Sequence, residues 1–95
     1  MFAARLERVR EIRLSGREAA VVRAIGFGES MLGAEILDAT HMPPDAVGDT
    51  LNGLLAAGFI ESIPYANQID LAEMASVAFE INPAFSHALR AALVR

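Results

Sequence analysis

Residues 43–63 read PPDAVGDTLNGLLAAGFIESI, a helix opened by a proline pair and closed by a glycine, running straight into a strand. Val47, Leu51, Leu54 and Leu55 recur at i, i+4, i+7 and i+8, which is one face of an α-helix. Pro44 suits the first turn, where its missing N–H has no helical partner to lose, and Asp45 favours the positive end of the helix dipole. Gly58 follows the last periodic leucine, where a left-handed residue ends a helix. Phe59, Ile60 and Ile63 then favour an extended chain.

Upstream of this stretch, Ser15-Gly16-Arg17-Glu18 is a capping-box sequence, in which serine and glutamate each satisfy the other's backbone N–H. It starts a helix that runs through Ala19, Val21, Val22 and Ile25 to Gly26. Gly26-Phe27-Gly28-Glu29-Ser30 is a turn; with no strand before it and no basic residue nearby it is no phosphate loop. Met31 and Leu32 read as a very short strand. Ala34–Thr40 reads as a short helix capped by Gly33 or Ser30, and His41 to Pro44 connects it tightly to the helix of residues 44–57.

Downstream, Val77 to Ile81 alternates as a strand with Val77, Phe79 and Ile81 on one face. The thirteen residues 64–76 between the two strands are more than most hairpin loops need, and Asp70 caps a helical turn through Leu71 to Met74. Asn82-Pro83 is a helix start, and Phe85, Leu89, Ala92 and Leu93 carry a last helix. At the other end, Phe2, Leu6, Val9 and Ile12 share one arc, so residues 2–14 read as a leading helix whose apolar stripe is interrupted by arginines.

The 95 residues suffice for one small domain with one modest core. Hydrophobic residues make up 54% and mean hydropathy is +0.36, more apolar surface than so small a body buries, which points to a partner and most simply to a second copy. Without cysteine there are no disulfides or thiolate metal sites, and the chain suits a reducing interior. No apolar run approaches the roughly 18–20 residues that span a bilayer, and the N-terminus lacks a signal-peptide core, so the expected setting is cytoplasmic. The net charge of −4 is uneven: residues 1–23 carry six arginines against three acids, and residues 24–95 carry two against nine. Only the N-terminal quarter can meet an anion.

The order helix, short strand, helix, helix, strand, loop, strand, with an extra helix at each end, resembles a winged helix-turn-helix domain of small bacterial transcription regulators. The resemblance covers residues 15–81, with 1–14 a leading helix and 82–95 a C-terminal helix. Its most specific part is Val47, Leu51, Leu54-Leu55 and Gly58-Phe59-Ile60-Glu61, similar to the end of the recognition helix in such regulators. The expected fold is therefore mostly α with a small β-hairpin wing. What the resemblance implies for function is DNA reading or protein docking, since winged helices do both.

The residues outside the leucine stripe decide between those two. A base-reading helix needs Arg, Lys, Asn or Gln on its exposed face and cations for the phosphates. Here that face holds Asp45, Ala46, Gly48, Asp49, Asn52, Gly53 and Ala56, in which only Asn52 suits a base edge and no cation occurs. The wing loop adds Asp70 and Glu73. Such a surface repels phosphate, so DNA is disfavoured. Gly48, Asn52 and Ala56 instead form a smooth stripe at i, i+4, i+8, widened by Gly53, that suits close approach of a protein surface or of the chain's own wing or N-terminal helix. Tyr65, Ile69, Leu71 and Met74 make a second apolar patch.

The leading expectation is a non-enzymatic module acting through protein contacts. It is expected to be a homodimer through Phe2, Leu6, Val9 and Ile12, through Leu89 and Leu93, or both. The alternative is a DNA-binding regulator whose phosphate contacts come from Arg5, Arg8, Arg10, Arg13 and Arg17. A ligand pocket among Tyr65, Met74 and Phe79 is a third possibility. No catalytic residue, cofactor site or metal site is expected: His41 and His87 have no acid at telling spacing, and no serine has a histidine partner.

Overall fold

A computed structural model of the chain describes residues 11–94. The first helix, α1 (Gly16–Ile25), begins at the capping box. Glu18 N–H donates to Ser15 Oγ at 3.1 Å, and Ser15 N–H donates to Glu18 Oε1 at 2.8 Å. A residue capping in this way is extended, with φ −70° and ψ 170° at Ser15, so no helix passes through it. Accordingly residues 11–14 are irregular, and the expected leading helix does not reach Leu14. The other residues of that expected helix, 2–10, lie outside the described residues.

Strand β1 (Met31–Leu32) leads into α2 (Gly33–Thr40). Neither expected cap holds this helix. Leu32 is the capping residue, and because it has no side-chain oxygen, only half a capping box forms, with Leu32 N–H donating to Glu35 Oε1 at 2.9 Å. His41 ends α2 in the left-handed conformation with φ 57°.

Helix α3 (Pro44–Ala57) has Pro44 at its first position. Gly58 ends it with φ 81°, where Gly58 N–H reaches Leu55 O at 3.0 Å and Phe59 N–H reaches Leu54 O at 3.1 Å. Val47, Leu51 and Leu54 are buried as their spacing predicts, and Leu55 is half-buried. Ala46 and Thr50 widen the buried face, the Thr50 hydroxyl donating to Ala46 O at 2.7 Å. Ala46 therefore does not belong to the outward face.

Strands β2 (Ile60–Ile63) and β3 (Ala78–Ile81) pair antiparallel, and β1 joins the far side of β3, giving the order β1-β3-β2. The register sorts the side chains into rows. Met31, Phe79 and Ser62 form one inward row, and Ile81 with Ile60 forms the next. Leu32, Ala78 and Ile63 form an outward row, followed by Glu80 opposite Glu61. Phe79 is fully buried at the centre of a core that takes Val21, Val22 and Ile25 from α1, Ile36 from α2, the α3 stripe, and Leu89 from α4 (Ser86–Leu93).

The last helix starts through a 3₁₀ turn, Pro83–Phe85, capped by Asn82 as expected: Ala84 N–H donates to Asn82 Oδ1 at 3.0 Å. The other end of that amide donates to Gly58 O at 2.9 Å, tying the end of α3 to the start of α4. Phe59 and Phe85 meet edge to face beside it, 5.1 Å between ring centres. The molecule is thus mostly helical with one small antiparallel sheet. Among the described residues no helix is long and apolar enough to cross a membrane.

Candidate interaction surface

The connection from β2 to β3 decides which part of α3 is free. It leaves β2 through a cis Ile63–Pro64 bond and passes through a 3₁₀ turn at Met74–Ser76 before β3. Ser62, buried on the inner face, donates its hydroxyl to Pro64 O at 2.9 Å and holds the first bend. Farther along, Ile69 N–H donates to Asn52 Oδ1 at 2.8 Å, and Asn52 Nδ2 donates to Ile69 O at 3.1 Å. The asparagine amide engages both backbone groups of Ile69, as a neighbouring peptide would. Both ends of the one side chain suited to an adenine edge are therefore occupied within the fold.

Gly48 lies under the same connection. A Cβ there would come within 3.2 Å of Leu71 Cδ1 and 3.8 Å of Met74 Sδ. Gly53 meets nothing within 4 Å. The stripe of small residues is thus divided: Gly48 and Asn52 serve the chain's own loop, while Asp45, Asp49, Gly53 and Ala56 face outward. Asp45 and Asp49 lie one turn apart, and α2 adds exposed Glu35 and Asp38. Loop residues Asp70 and Glu73 are exposed as well.

A closer approach occurs at Gly33, which sequence reasoning treated only as a cap. Its N–H donates to Val77 O at 2.9 Å, and a Cβ there would collide with the Met74 carbonyl. Only the crossing of the 3₁₀ turn over the start of α2 explains this glycine, and nothing local in the sequence announces that crossing.

The second apolar patch splits likewise. Met74 is buried in the core, Ile69 is half-buried, and Leu71 and Tyr65 stay 52% and 76% exposed. Tyr65 donates its hydroxyl to Asn67 Oδ1 at 2.9 Å. Met74 and Phe79 belong to the core and Tyr65 does not join them, so the three do not make the expected pocket.

Of the expected dimer contacts, Phe2, Leu6 and Val9 lie outside the described residues. Ile12 and Leu93 are half-buried against the core, and Leu89 is fully buried. Leu89 is therefore closed to a second chain. Of the expected phosphate contacts, Arg5, Arg8 and Arg10 also lie outside the described residues, while Arg13 and Arg17 are exposed. The arginines nearer the body are engaged: Arg23 Nη2 donates to Leu93 O at 2.8 Å, and the Arg90 guanidinium stands 4.3 Å over the Phe27 ring. His41 and His87 are exposed, and among the described residues no group of three or more His, Asp or Glu could hold a metal.

The outer face of the sheet is a surface that sequence reasoning missed. Leu32 and Ile63, 43% and 48% exposed, flank Ala78 in one row, and Glu61 stands opposite Glu80 in the next. Neither glutamate has an ion-pair partner among the described residues. Glu80 also lines a depression of about 170 Å³ together with Phe27, Glu29, Ile81 and Pro83. The segments IESI and AFEI each show a glutamate at an outward position, but only the pairing register brings the two together.

Scans of the chain against protein-family models, curated proteins and solved structures each returned no match.

Proposed function

We propose that the chain is a non-enzymatic winged-helix module of the cytoplasm that works through protein contacts as a homodimer. The fold part of this reading is supported by the element order helix, strand, helix, helix, strand, strand and by the strand order β1-β3-β2, with the 64–77 connection as the wing. The functional part is carried by one observation. On the third helix, the helix that would enter a groove, the polar base-reading candidate Asn52 is bound to Ile69, and the open remainder presents Asp45 and Asp49. A surface of that sign repels phosphate, whereas it complements a basic protein surface, and its small residues allow such a partner to approach closely.

A second reading keeps nucleic acid through the arginine-rich start, favoured by the exposure of Arg13 and Arg17. It requires Arg5, Arg8, Arg10, Arg13 and Arg17 to neutralise phosphates, so affinity would fall steeply with salt. Titration of the full chain with duplex DNA at low ionic strength separates the two. No binding is expected, together with a dimer at high micromolar concentration in sedimentation equilibrium. Salt-sensitive binding that disappears when these arginines are neutralised would replace the first reading with the second.

A further inference from the structure

The outer face of the sheet combines two features that are unfavourable in isolation. Leu32 and Ile63 leave roughly half of two large apolar side chains in water on either side of Ala78. Directly beside them Glu61 and Glu80 face each other across neighbouring strands, where like charges repel. An occupant that removes both costs must be apolar at one position and cationic at the next. A second copy of the same face is a poor candidate, because packing the two faces together gathers four carboxylates.

The chain itself contains a segment with the required chemistry. Half of its eight arginines are Arg5, Arg8, Arg10 and Arg13, and they are interleaved with Phe2, Leu6, Val9 and Ile12. Residues 1–10 carry Arg5, Arg8 and Arg10 against Glu7, a balance of +2, while residues 11–94 carry four arginines against eleven acids, a balance of −7. The attraction between the two parts is general, and on the outer sheet face it coincides with exposed apolar side chains. Arginine is the cation suited to such a pair, since its planar fork can bond both carboxylates at once.

We infer that the outer sheet face, Leu32-Ala78-Ile63 with Glu61 and Glu80, receives residues 2–10 of a second copy of this chain. This rests on the homodimer reading above and gives it a location: Phe2, Leu6 and Val9 cover the apolar row, and Arg5 and Arg8 answer the glutamate pair. Exchange of the two segments gives a closed two-fold dimer in which each sheet face is used once.

The test is sedimentation equilibrium on the full chain and its variants. Glu61→Gln with Glu80→Gln is expected to weaken the dimer by about tenfold or more, the scale of losing four exposed ion pairs, two on each sheet face. The same change removes a repulsion within the protomer, so at concentrations low enough that both proteins are monomeric its thermal unfolding temperature should hold or rise, which separates lost docking from lost folding. Glu61→Arg with Glu80→Arg, and separately Arg5→Glu with Arg8→Glu, should each give monomers, and a one-to-one mixture of the two should recover a heterodimer. A mixture that stays monomeric, or a dimer indifferent to Glu61 and Glu80, overturns the inference while leaving the homodimer standing. A dimer that tightens when the glutamates are neutralised overturns it in favour of face-to-face packing. A wild-type chain that is monomeric at high micromolar concentration overturns the homodimer and this inference together.

Discussion

The connection from β2 to β3 divides the outer surface of α2 and α3 into a covered part and an open part. In the covered part, Gly33 admits the Met74 carbonyl, Gly48 faces Leu71, and the Asn52 amide grips Ile69. In the open part, a Cβ added at Gly53 would meet nothing within 4 Å outside its own helix among the described residues, and Asp45, Asp49 and Ala56 face outward. Glycines and small residues thus occur on both sides of the division for different reasons. On one side they make room for the chain itself. On the other they leave a helix smooth and acidic, at the helix-propensity cost of about 1 kcal/mol that glycine carries relative to alanine. A run of small residues on a helix is therefore two signals, and only the path of a distant loop separates them.

The strongest way to break the division is Gly33→Ala. The added methyl group meets a backbone carbonyl, which cannot rotate away as a side chain can, so the 3₁₀ turn must shift. Overpacking of this kind costs about 1–3 kcal/mol, and the upper part of that range is expected here, read as a lowered urea midpoint. An unchanged midpoint would mean that the turn does not lie across α2.

Next in size is Asn52→Ala, which removes both hydrogen bonds to Ile69 and leaves its two backbone groups to find water. A loss of about 1–2 kcal/mol is expected. Amide exchange gives the sharper reading. The Ile69 N–H should lose protection, while the Leu54 amide, deep in α3, changes only with global stability. Equal changes at both positions would show that Asn52 supports the fold at large and not the loop in particular.

Much of this architecture was legible in the sequence because it is encoded locally. The Ser15–Glu18 box, the α3 stripe, the left-handed Gly58 and the Asn82-Pro83 start each depend on residues within a turn or two of one another. The misreadings share the opposite property. The Gly33 crossing joins positions more than forty residues apart in the chain, the Asn52–Ile69 pair spans seventeen, and the Glu61–Glu80 pair spans nineteen. Leu89 shows the same limit, since its helical spacing gives it an apolar face without saying whether α1 or another chain covers it. The leading helix failed at its end for a local reason: a serine that caps the following helix must itself be extended.

The finest test of the division compares two alanine substitutions in one helix. Gly53→Ala adds a methyl group to open space, so the propensity gain should appear in full, about 1 kcal/mol of added stability. Gly48→Ala has the same intrinsic gain, but its Cβ lies 3.2 Å from Leu71 Cδ1, a contact tighter than relaxed packing allows. Leu71 is 52% exposed and its end can turn away, at the loss of some of its packing on α3, so the contact should offset part of the gain and leave a net change smaller than at Gly53. Truncating the neighbour isolates that offset. In a Leu71→Ala background, Gly48→Ala should recover a gain close to that of Gly53→Ala, and the double-mutant cycle reads the difference as the coupling between loop and helix. If Gly48→Ala already gains as much as Gly53→Ala with Leu71 in place, the loop does not rest on α3 and the whole stripe is open to a partner.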